Sequence, residues 1–176
     1  NNIGSPRLAL AGGCGLNGVM NARIPRDTGF TNSYHQPASA DDGTALGAAL
    51  HCWHTGLGRA ERFTMRHAFW GPGYSDAAIR SALANAGLRA EALTSPEAAA
   101  QRAANLIAGG AVIGWYQGRA EWGPRALGNR SILANPAIPD MKATINARIK
   151  RRESFRPFAP SVLAEDAAKY FEQDLQ

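Results

Sequence analysis

The residues with the clearest chemical potential lie between Gly118 and Ser131, where glycines recur at positions 118, 123 and 128 with arginines between them. Glycine lets backbone N–H groups approach an anion closely, and the forked guanidinium of arginine matches the oxygens of a phosphate. The sequence lacks the Gly-Lys-Ser/Thr ending of a Walker loop. The motif therefore predicts a site for a phosphorylated ligand. The alternative is a turn-rich surface loop held together by an ion pair between Glu121 and an arginine.

A second basic cluster follows the first along the chain. Lys142, Asn146 and Lys150 are spaced by four residues, which brings two amines and an amide to one face of a helix. Two prolines then restrict the chain beside Arg156 and Ser161. We expect this cluster to bind the same anion as the glycine motif. The alternative is a basic helix face that is exposed to solvent.

A third group of candidate residues lies near the N-terminus. A predicted strand ends at Gly12 and Gly13, and a glycine pair in that position can pass close to a ribose or an adenine. Asp41 and Asp42 come where a helix is predicted to begin, and a carboxylate there can hold a metal ion or a hydroxyl group. The alternatives are an ordinary turn and an ordinary helix N-cap.

Composition limits the class of protein. The 176 residues carry a formal net charge of +5, and residues 118–157 hold nine cationic against three acidic side chains, an excess that favours anionic partners. No run of about 18 apolar residues occurs, so no membrane span is expected. The two cysteines have no CxxC spacing, which favours free thiols and a reducing cytoplasm over a disulfide framework.

Helices and strands that could position these groups alternate along the chain, so the predicted fold class is α/β or α+β. The predicted order is a strand at 7–11, a helix opened by Asp41 or Asp42, a helix capped by Ser75, a helix opened by a Thr94–Glu97 capping box, a strand at 111–116 and a helix at 140–150. Glycines, a proline and scattered arginines between Thr55 and Gly73 predict a linker.

Four stretches of the sequence closely resemble the C-terminal region of the NodU/CmcH-type O-carbamoyltransferases. They are Leu10–Asn17, Gln36–Ala49, Gly118–Leu133 and Arg152–Ser161. The resemblance implies that residues 1–55 are the closing piece of a sugar-kinase/actin-like domain and that residues 56–70 are a linker. It implies further that residues 71–176 form a YrdC-like α/β domain truncated at its C-terminus.

The resemblance also implies an activity. In that family the YrdC-like domain combines carbamoyl phosphate with ATP to make carbamoyl adenylate and pyrophosphate, and the other domain moves the carbamoyl group to an acceptor hydroxyl. The implied cofactors are ATP and a divalent metal ion, which could be Fe, Mg or Zn. The implied partners are carbamoyl phosphate, a small-molecule acceptor that bears a hydroxyl group, and the remaining parts of the same enzyme.

Site residues follow from the matched motifs. The resemblance implies that Asp41 is a metal ligand and that Gly12, Gly13 and Asn17 line a nucleotide. The implied catalytic contacts to phosphates are Arg125, Arg130, Lys142, Arg152 and Arg156, and further ligand contacts are Arg119, Asn129, Ser131, Lys150 and Ser161. The family's histidine ligands and its segments beyond Tyr170 have no match in this sequence. We therefore expect the chain to be a fragment that lacks both ends of the enzyme.

Two other functions compete with carbamoyl transfer. The basic block and the kinship of both domains to tRNA-modifying proteins would suit an RNA-binding or threonylcarbamoyl-type tRNA-modification module, which needs exposed aromatic side chains for base stacking. Trp115 and Tyr116 lie in an apolar strand and are predicted to be core, which disfavours a nucleic acid partner. A purely structural or interaction fragment is the third possibility, and it fits the missing ends.

Overall fold

The computed structural model describes residues 4–172 and divides into two units. Within the described residues, the first unit comprises 4–92 and 114–132, and the second comprises 93–113 and 133–172. Helices and short strands occur together, which confirms the predicted α/β or α+β class. The predicted domain boundaries at residues 55 and 71 stay predictions. The outer ends of those domains, residues 1–3 and 173–176, lie outside the described residues.

The first unit opens with two parallel strands joined by a helix. Strand β1 (Arg7–Leu10) pairs with β2 (Asn32–His35), and helix α1 (Gly18–Asp27) connects them. Asn17 caps α1, because its side chain accepts a hydrogen bond from the backbone N–H of Met20 at 3.2 Å. The strand predicted at 7–11 is confirmed as far as Leu10. Since the strands are parallel, the turns that follow them meet at the same sheet edge.

Helix α2 (Thr44–His51) follows a 3₁₀ turn at Asp41–Gly43 and continues into a π-helical turn at Cys52–Gly56. The prediction that Asp41 or Asp42 caps this helix is wrong. Both carboxylates lie in the 3₁₀ turn, and the N-cap position belongs to Gly43, which makes no side-chain cap. A Cβ atom at position 43 would lie 2.0 Å from the carbonyl oxygen of Ala38, so the close approach of two backbones selects glycine here.

The rest of the first unit contains one helix and a small sheet. Helix α3 (Asp76–Asn85) is capped by Ser75 as predicted. Strands β3 (Ile113–Tyr116) and β4 (Arg130–Leu133) form a two-stranded sheet, with Ile113 and Leu133 counted in the second unit. The expectation that Tyr116 is core is wrong, because alternate residues of β3 turn outward and Tyr116 is 47% exposed.

The second unit is helical. It contains α4 (Pro96–Ala108), α5 (Met141–Thr144), a π-helical turn at Ile145–Lys150 and α6 (Ala167–Tyr170). The predicted capping box is displaced by one residue. Ser95, not Thr94, caps α4, because a proline favours the first helical position and the cap must directly precede it. Helix α4 ends before Gly109 and Gly110.

Burial is concentrated in small residues. The buried apolar side chains in the described part of the chain are Ala38, Ala68, Ala120, Ile145 and Ala167. Large apolar side chains stay exposed, among them Val19 at 73% and Phe155 at 75%. Within residues 4–172, no helix has both the length and the apolar character that crossing a membrane requires.

Candidate functional site

An open pocket of about 500 Å³ lies where β1 and β2 end, and we call it the strand-end pocket. Residues 9–13, from the end of β1 into the turn that follows it, form one wall. A second wall is formed at and after the end of β2 by Tyr34, Gln36, residues 38–41 and Gly43, and the third by Thr44, Leu46, Gly47 and Leu50 of α2. Leu46 and Leu50, which lie one helical turn apart on α2, therefore face this pocket. Gly12 adopts φ +99°, a conformation open to glycine, and its backbone N–H donates to the carbonyl oxygen of Ser39.

Polar side chains without partners line the strand-end pocket. Ser39 is 4% exposed, and neither its Oγ nor the Oε1 of Gln36 has a hydrogen-bond partner among the described residues. Burying such groups unpaired costs about 1 to 3 kcal/mol each, which an occupant with hydrogen-bonding groups would offset. The lining residues of the described structure include the carboxylate of Asp41 and neither lysine nor arginine. This pocket suits a hydroxyl- or amine-bearing group better than a phosphate.

The predicted nucleotide and metal residues are only partly brought together. Gly12, Gly13 and Asp41 line the strand-end pocket. Asn17 does not belong to that lining and serves as the cap of α1. Within residues 4–172, no cluster of three histidine, cysteine or acidic side chains could hold a metal ion. Asp41 therefore fits a metal site only as a single ligand whose partners come from outside the described residues.

The segment Gly118–Ser131, here called the glycine–arginine loop, is organised around a buried acid. Glu121 is 3% exposed, and its Oε1 accepts hydrogen bonds from the backbone N–H groups of Leu127 at 2.6 Å and Asn129 at 2.9 Å. Its Oε2 accepts from Nε of Arg130 at 3.1 Å. Burial alone would raise the pKa of Glu121, but these N–H groups outweigh it, so the pKa is lowered.

The predicted phosphate-binding arginines of this loop donate hydrogen bonds to backbone carbonyl oxygens. Arg119 donates to Gly71 from Nε at 2.9 Å and to Trp70 from Nη2 at 3.1 Å. Arg125 donates from Nη2 to Leu16 at 2.8 Å, and Arg130 also donates to Gly123. A guanidinium has five N–H donors, so none of these contacts exhausts its capacity to bind an anion.

Two smaller predicted contacts also have internal partners. Nδ2 of Asn129 donates to the carbonyl oxygen of Arg119 at 2.7 Å, and Oγ of Ser131 accepts from the backbone N–H of Gly128 at 3.1 Å. The ion pair of Glu121, which the sequence offered as the alternative to a ligand site, is present with Arg130. The loop is therefore internally cross-linked. This leaves its role as a ligand site a prediction.

The second unit holds the remaining predicted cations on residues 141–161, here called the basic segment. Lys142, Lys150, Arg156 and Ser161 are exposed, and Nη1 of Arg156 lies 3.9 Å from the Glu153 carboxylate. Arg152 is more fixed. Its Nε donates to Oδ1 of Asn146 at 2.7 Å, and its guanidinium lies 4.7 Å from the ring centre of Phe158.

The expectation that Asn146 shares one helix face with Lys142 and Lys150 is wrong. Asn146 has 0% exposure, and its Nδ2 donates to the carbonyl oxygens of Ser154 at 3.3 Å and Arg156 at 3.0 Å. The physical reason is the π-helical turn at Ile145–Lys150, which departs from the 3.6-residue period on which the expectation depends. Asn146 therefore organises the segment from within.

Sequence reasoning missed the buried polar side chains that shape the site. The sequence predicts Glu121 only as part of a surface ion pair, and Asn146 only as an amide on one helix face with Lys142 and Lys150. Ser39 and Gln36 carried no signal in the sequence, because a serine or a glutamine is usually exposed and only tertiary packing buries it. A single acid inside a glycine- and arginine-rich motif is the signal that could have identified Glu121.

Comparison with known proteins gives matches at both ends of the chain. The family model described as carbamoyltransferase N-terminus matches residues 1–50, and the one described as carbamoyltransferase C-terminus matches residues 104–176. The chain is similar to the nodulation protein NolNO of Sinorhizobium fredii, with 48% identity over 96% of this chain and 25% of that protein. It is also similar to an uncharacterized protein of Synechocystis sp., with 45% identity over 98% of this chain and 29% of that protein.

A relative with a stated enzymatic activity is more distant. The 3'-hydroxymethylcephem-O-carbamoyltransferase of Amycolatopsis lactamdurans is 35% identical over 98% of this chain and 31% of its own length. The chain thus spans about three tenths of the length of the curated relatives that it matches.

Proposed function

Because this chain belongs to the carbamoyltransferase family, we propose that it forms part of an enzyme for ATP-dependent O-carbamoyl transfer. In this reaction carbamoyl phosphate, ATP and one water give carbamoyl adenylate, pyrophosphate and inorganic phosphate. The carbamoyl group then passes to the hydroxyl of a small-molecule acceptor, and AMP leaves. The printed name of the Amycolatopsis relative, an O-carbamoyltransferase, supports this chemistry.

The observation that carries the proposal is the difference in charge between the lining of the strand-end pocket and the sequence of residues 118–157. The strand-end pocket has a carboxylate and unpartnered polar groups in its lining but neither lysine nor arginine in the described structure. Residues 118–157 carry nine cations. Two anionic substrates repel each other, so their reaction requires cations that screen the charge and align the reacting atoms.

We assign the phosphates to the cationic residues. The proposed catalytic contacts are Arg125, Arg130, Lys142, Arg152 and Arg156, supported by Arg119, Asn129, Ser131, Lys150 and Ser161. Their present contacts favour preorganisation, because Arg130 and Arg152 are held by Glu121 and Asn146. A guanidinium fixed before the ligand arrives loses less conformational freedom on binding.

We assign the nucleoside part of the adenylate to the strand-end pocket. The backbone of Gly12 and Gly13 would approach it, with Asn17 shaping the adjacent turn, and Ser39 and Gln36 offer hydrogen bonds that its hydroxyl or amine groups can complete. Asp41 would hold the divalent metal together with ligands outside the described residues. A bound metal would supply Lewis acidity at the carbamoyl carbonyl.

The test separates the two half-reactions in the intact enzyme. Arg156→Ala should slow pyrophosphate release from ATP and carbamoyl phosphate by about tenfold or more, since a charged hydrogen bond contributes about 1.5 to 3 kcal/mol. Asp41→Asn should leave pyrophosphate release near the wild-type rate and abolish transfer to the acceptor. Arg148→Ala serves as the control for Arg156, because it removes an exposed cation of the same segment.

Two results would contradict the proposal. Pyrophosphate release that is unchanged in Arg156→Ala would remove that arginine from the anion site. Equal loss of both half-reactions in Asp41→Asn would contradict the separation of the nucleoside and metal site from the adenylation site.

RNA binding is the second candidate, and the exposed ring of Tyr116 is the observation in its favour. The hydroxyl of Tyr116 donates to the carbonyl oxygen of Pro72 at 3.2 Å, so the ring is already held in place. Salt-sensitive binding of a short RNA without binding of carbamoyl phosphate would favour this function.

The two cysteines, Cys14 and Cys52, are both exposed free thiols, which supports a reducing cytoplasm for either function.

A further inference from the structure

We propose that Arg125 and Gly123 are positioning residues, through which the glycine–arginine loop braces the wall of the strand-end pocket. This inference rests on the proposed function, which assigns the nucleoside to that pocket. The matched motifs imply only a phosphate contact for Arg125. The contact that supports its positioning role reaches a different part of the chain from the phosphate-binding cluster.

The first anchor of the brace is the Arg125 side chain. Its Nη2 donates a 2.8 Å hydrogen bond to the carbonyl oxygen of Leu16. Leu16 is the last residue of the 3₁₀ turn Gly13–Leu16, and Gly13 at the other end of this turn lines the pocket. Arg125 therefore holds the far end of a short, rigid turn whose near end forms the pocket wall.

The second anchor is the backbone of Gly123. A Cβ atom at this position would lie 2.7 Å from the carbonyl oxygen of Pro37, and the residue adopts φ +115°. Position 123 therefore lies in direct backbone contact with Pro37, which immediately precedes Ala38 and Ser39 in the pocket lining. Glycine satisfies both the space and the backbone conformation that this contact requires.

The two parts of the pocket wall that these anchors contact also contact each other. The backbone N–H of Gly12 donates to the carbonyl oxygen of Ser39, and a Cβ atom at Gly15 would lie 3.3 Å from Oγ of Ser39. The turn after β1 and the segment after β2 thus form one packed wall. The glycine–arginine loop contacts this wall at Leu16 and at Pro37.

Hydrogen bonds within the glycine–arginine loop cross-link the brace itself. Arg130 joins the carbonyl oxygen of Gly123 to the buried Glu121, whose other oxygen accepts the backbone N–H groups of Leu127 and Asn129. Within the described structure, the lining of the strand-end pocket includes no residue of the glycine–arginine loop. Arg125 would therefore act on a pocket ligand through the wall and not by touching it.

The decisive experiment uses a ligand without phosphate. Adenosine binding to the intact protein is measured by calorimetry for wild type, Arg125→Ala and Arg125→Lys, with Arg26→Ala as control because Arg26 is an exposed arginine of α1. A brace predicts about tenfold weaker adenosine binding in Arg125→Ala, partial recovery in Arg125→Lys and no change in Arg26→Ala. Binding of carbamoyl phosphate, measured in parallel, reports separately on the anion contact that the proposed function assigns to Arg125.

A second measurement needs no ligand. Hydrogen exchange reports the backbone N–H groups of Gly15 and Asn17, which donate to Gly12 at 2.8 Å and to Cys14 at 3.0 Å in the wall turn. Arg125→Ala should accelerate their exchange several-fold relative to wild type and Arg26→Ala, whereas exchange within α3 should stay unchanged.

The outcomes separate the brace from the proposed function. Unchanged adenosine affinity together with weakened carbamoyl phosphate binding in Arg125→Ala would overturn the brace and return Arg125 to the anion site alone. Unchanged exchange of the wall turn would also overturn the brace. Failure of the wild-type protein to bind adenosine would overturn the nucleoside assignment of the pocket, and hydrogen exchange would still decide whether Arg125 braces its wall.

Discussion

At the scale of single residues, the buried carboxylate of Glu121 shows how a charged group can organise a loop. A carboxylate with a side chain closed to solvent is costly unless several donors compensate it. Glu121 has three, two from the backbone and one from Arg130. Removing it would leave Nε of Arg130 and two backbone N–H groups of the loop without their acceptor.

We predict that Glu121 makes the stability of the protein dependent on acid. Its pKa is lowered in the folded state, so its stabilising contribution is complete above its ordinary pKa of about 4.5 and is lost as the pH falls through the folded-state value. Glu121→Gln should lower the free energy of unfolding at pH 7 by about 1.5 to 3 kcal/mol. Urea unfolding between pH 7 and pH 3 measures this difference, which should shrink below about pH 4.5.

The matched control is Glu153→Gln. Glu153 is exposed and its carboxylate lies 3.9 Å from Nη1 of Arg156, so its contribution should be below about 0.5 kcal/mol at every pH. A difference between wild type and Glu121→Gln that is independent of pH would contradict the ionised, hydrogen-bonded state of Glu121.

At the scale of elements, the π-helical turn at Ile145–Lys150 determines how the basic segment is built. It turns Asn146 inward, and the amide then joins the turn to the chain at Ser154 and Arg156. Arg152 closes the arrangement, because its Nε donates to the amide oxygen and its backbone N–H donates to the carbonyl oxygen of Asn146 at 3.0 Å. Asn146 therefore holds the hydrogen-bonded framework of the basic segment, and the exposed cations project from that framework.

We predict that Asn146→Ala disrupts this framework. Loss of the amide removes the hydrogen-bond partner of two carbonyl oxygens and of Nε of Arg152, which should lower the free energy of unfolding by about 2 to 3 kcal/mol. Asn105→Ala in α4 is the control, because the Asn105 amide makes an exposed hydrogen bond with Gln101 at 3.1 Å. Chemical denaturation of both variants gives the comparison. Equal destabilisation by the two substitutions would show that Asn146 has no organising role.

At the scale of the whole molecule, the excess of positive charge is a cost that an anion can relieve. The chain carries a formal net charge of +5, and the basic residues are concentrated between positions 118 and 157. Mutual repulsion among them destabilises the protein without ligand. A bound phosphate compound would remove part of this repulsion and stabilise the folded state through binding itself.

We predict that carbamoyl phosphate raises the melting temperature of the protein. At a hundredfold excess over Kd the gain is about 2.7 kcal/mol, which corresponds to roughly 5 to 10 °C for a chain of this size. Added salt should reduce the shift by screening the exposed charges. Thermal melts at low and high salt, with Arg156→Ala as the variant, measure both effects. A shift of equal size in Arg156→Ala would show that the basic segment is a solvated surface and not an anion site.

Several features could be read from the sequence because they depend on neighbours along the chain. The cap at Ser75 follows from local backbone chemistry and was predicted. The family also followed from short motifs, since each motif is contiguous. The concentration of cations between residues 118 and 157 needed only counting.

Other features depended on contacts between distant residues. The N-cap position of α2 belongs to Gly43 and not to Asp41, and Gly43 approaches the backbone of Ala38 closely, a contact that no local pattern records. The inward turn of Asn146 follows from a π-helical turn, and the burial of Glu121 from a loop that closes on itself. The contact between Arg125 and Leu16 joins residues 109 positions apart. Sequence determines which groups are available, but burial and long-range hydrogen bonds are properties of the folded chain, so only tertiary structure decided which arginines already had partners.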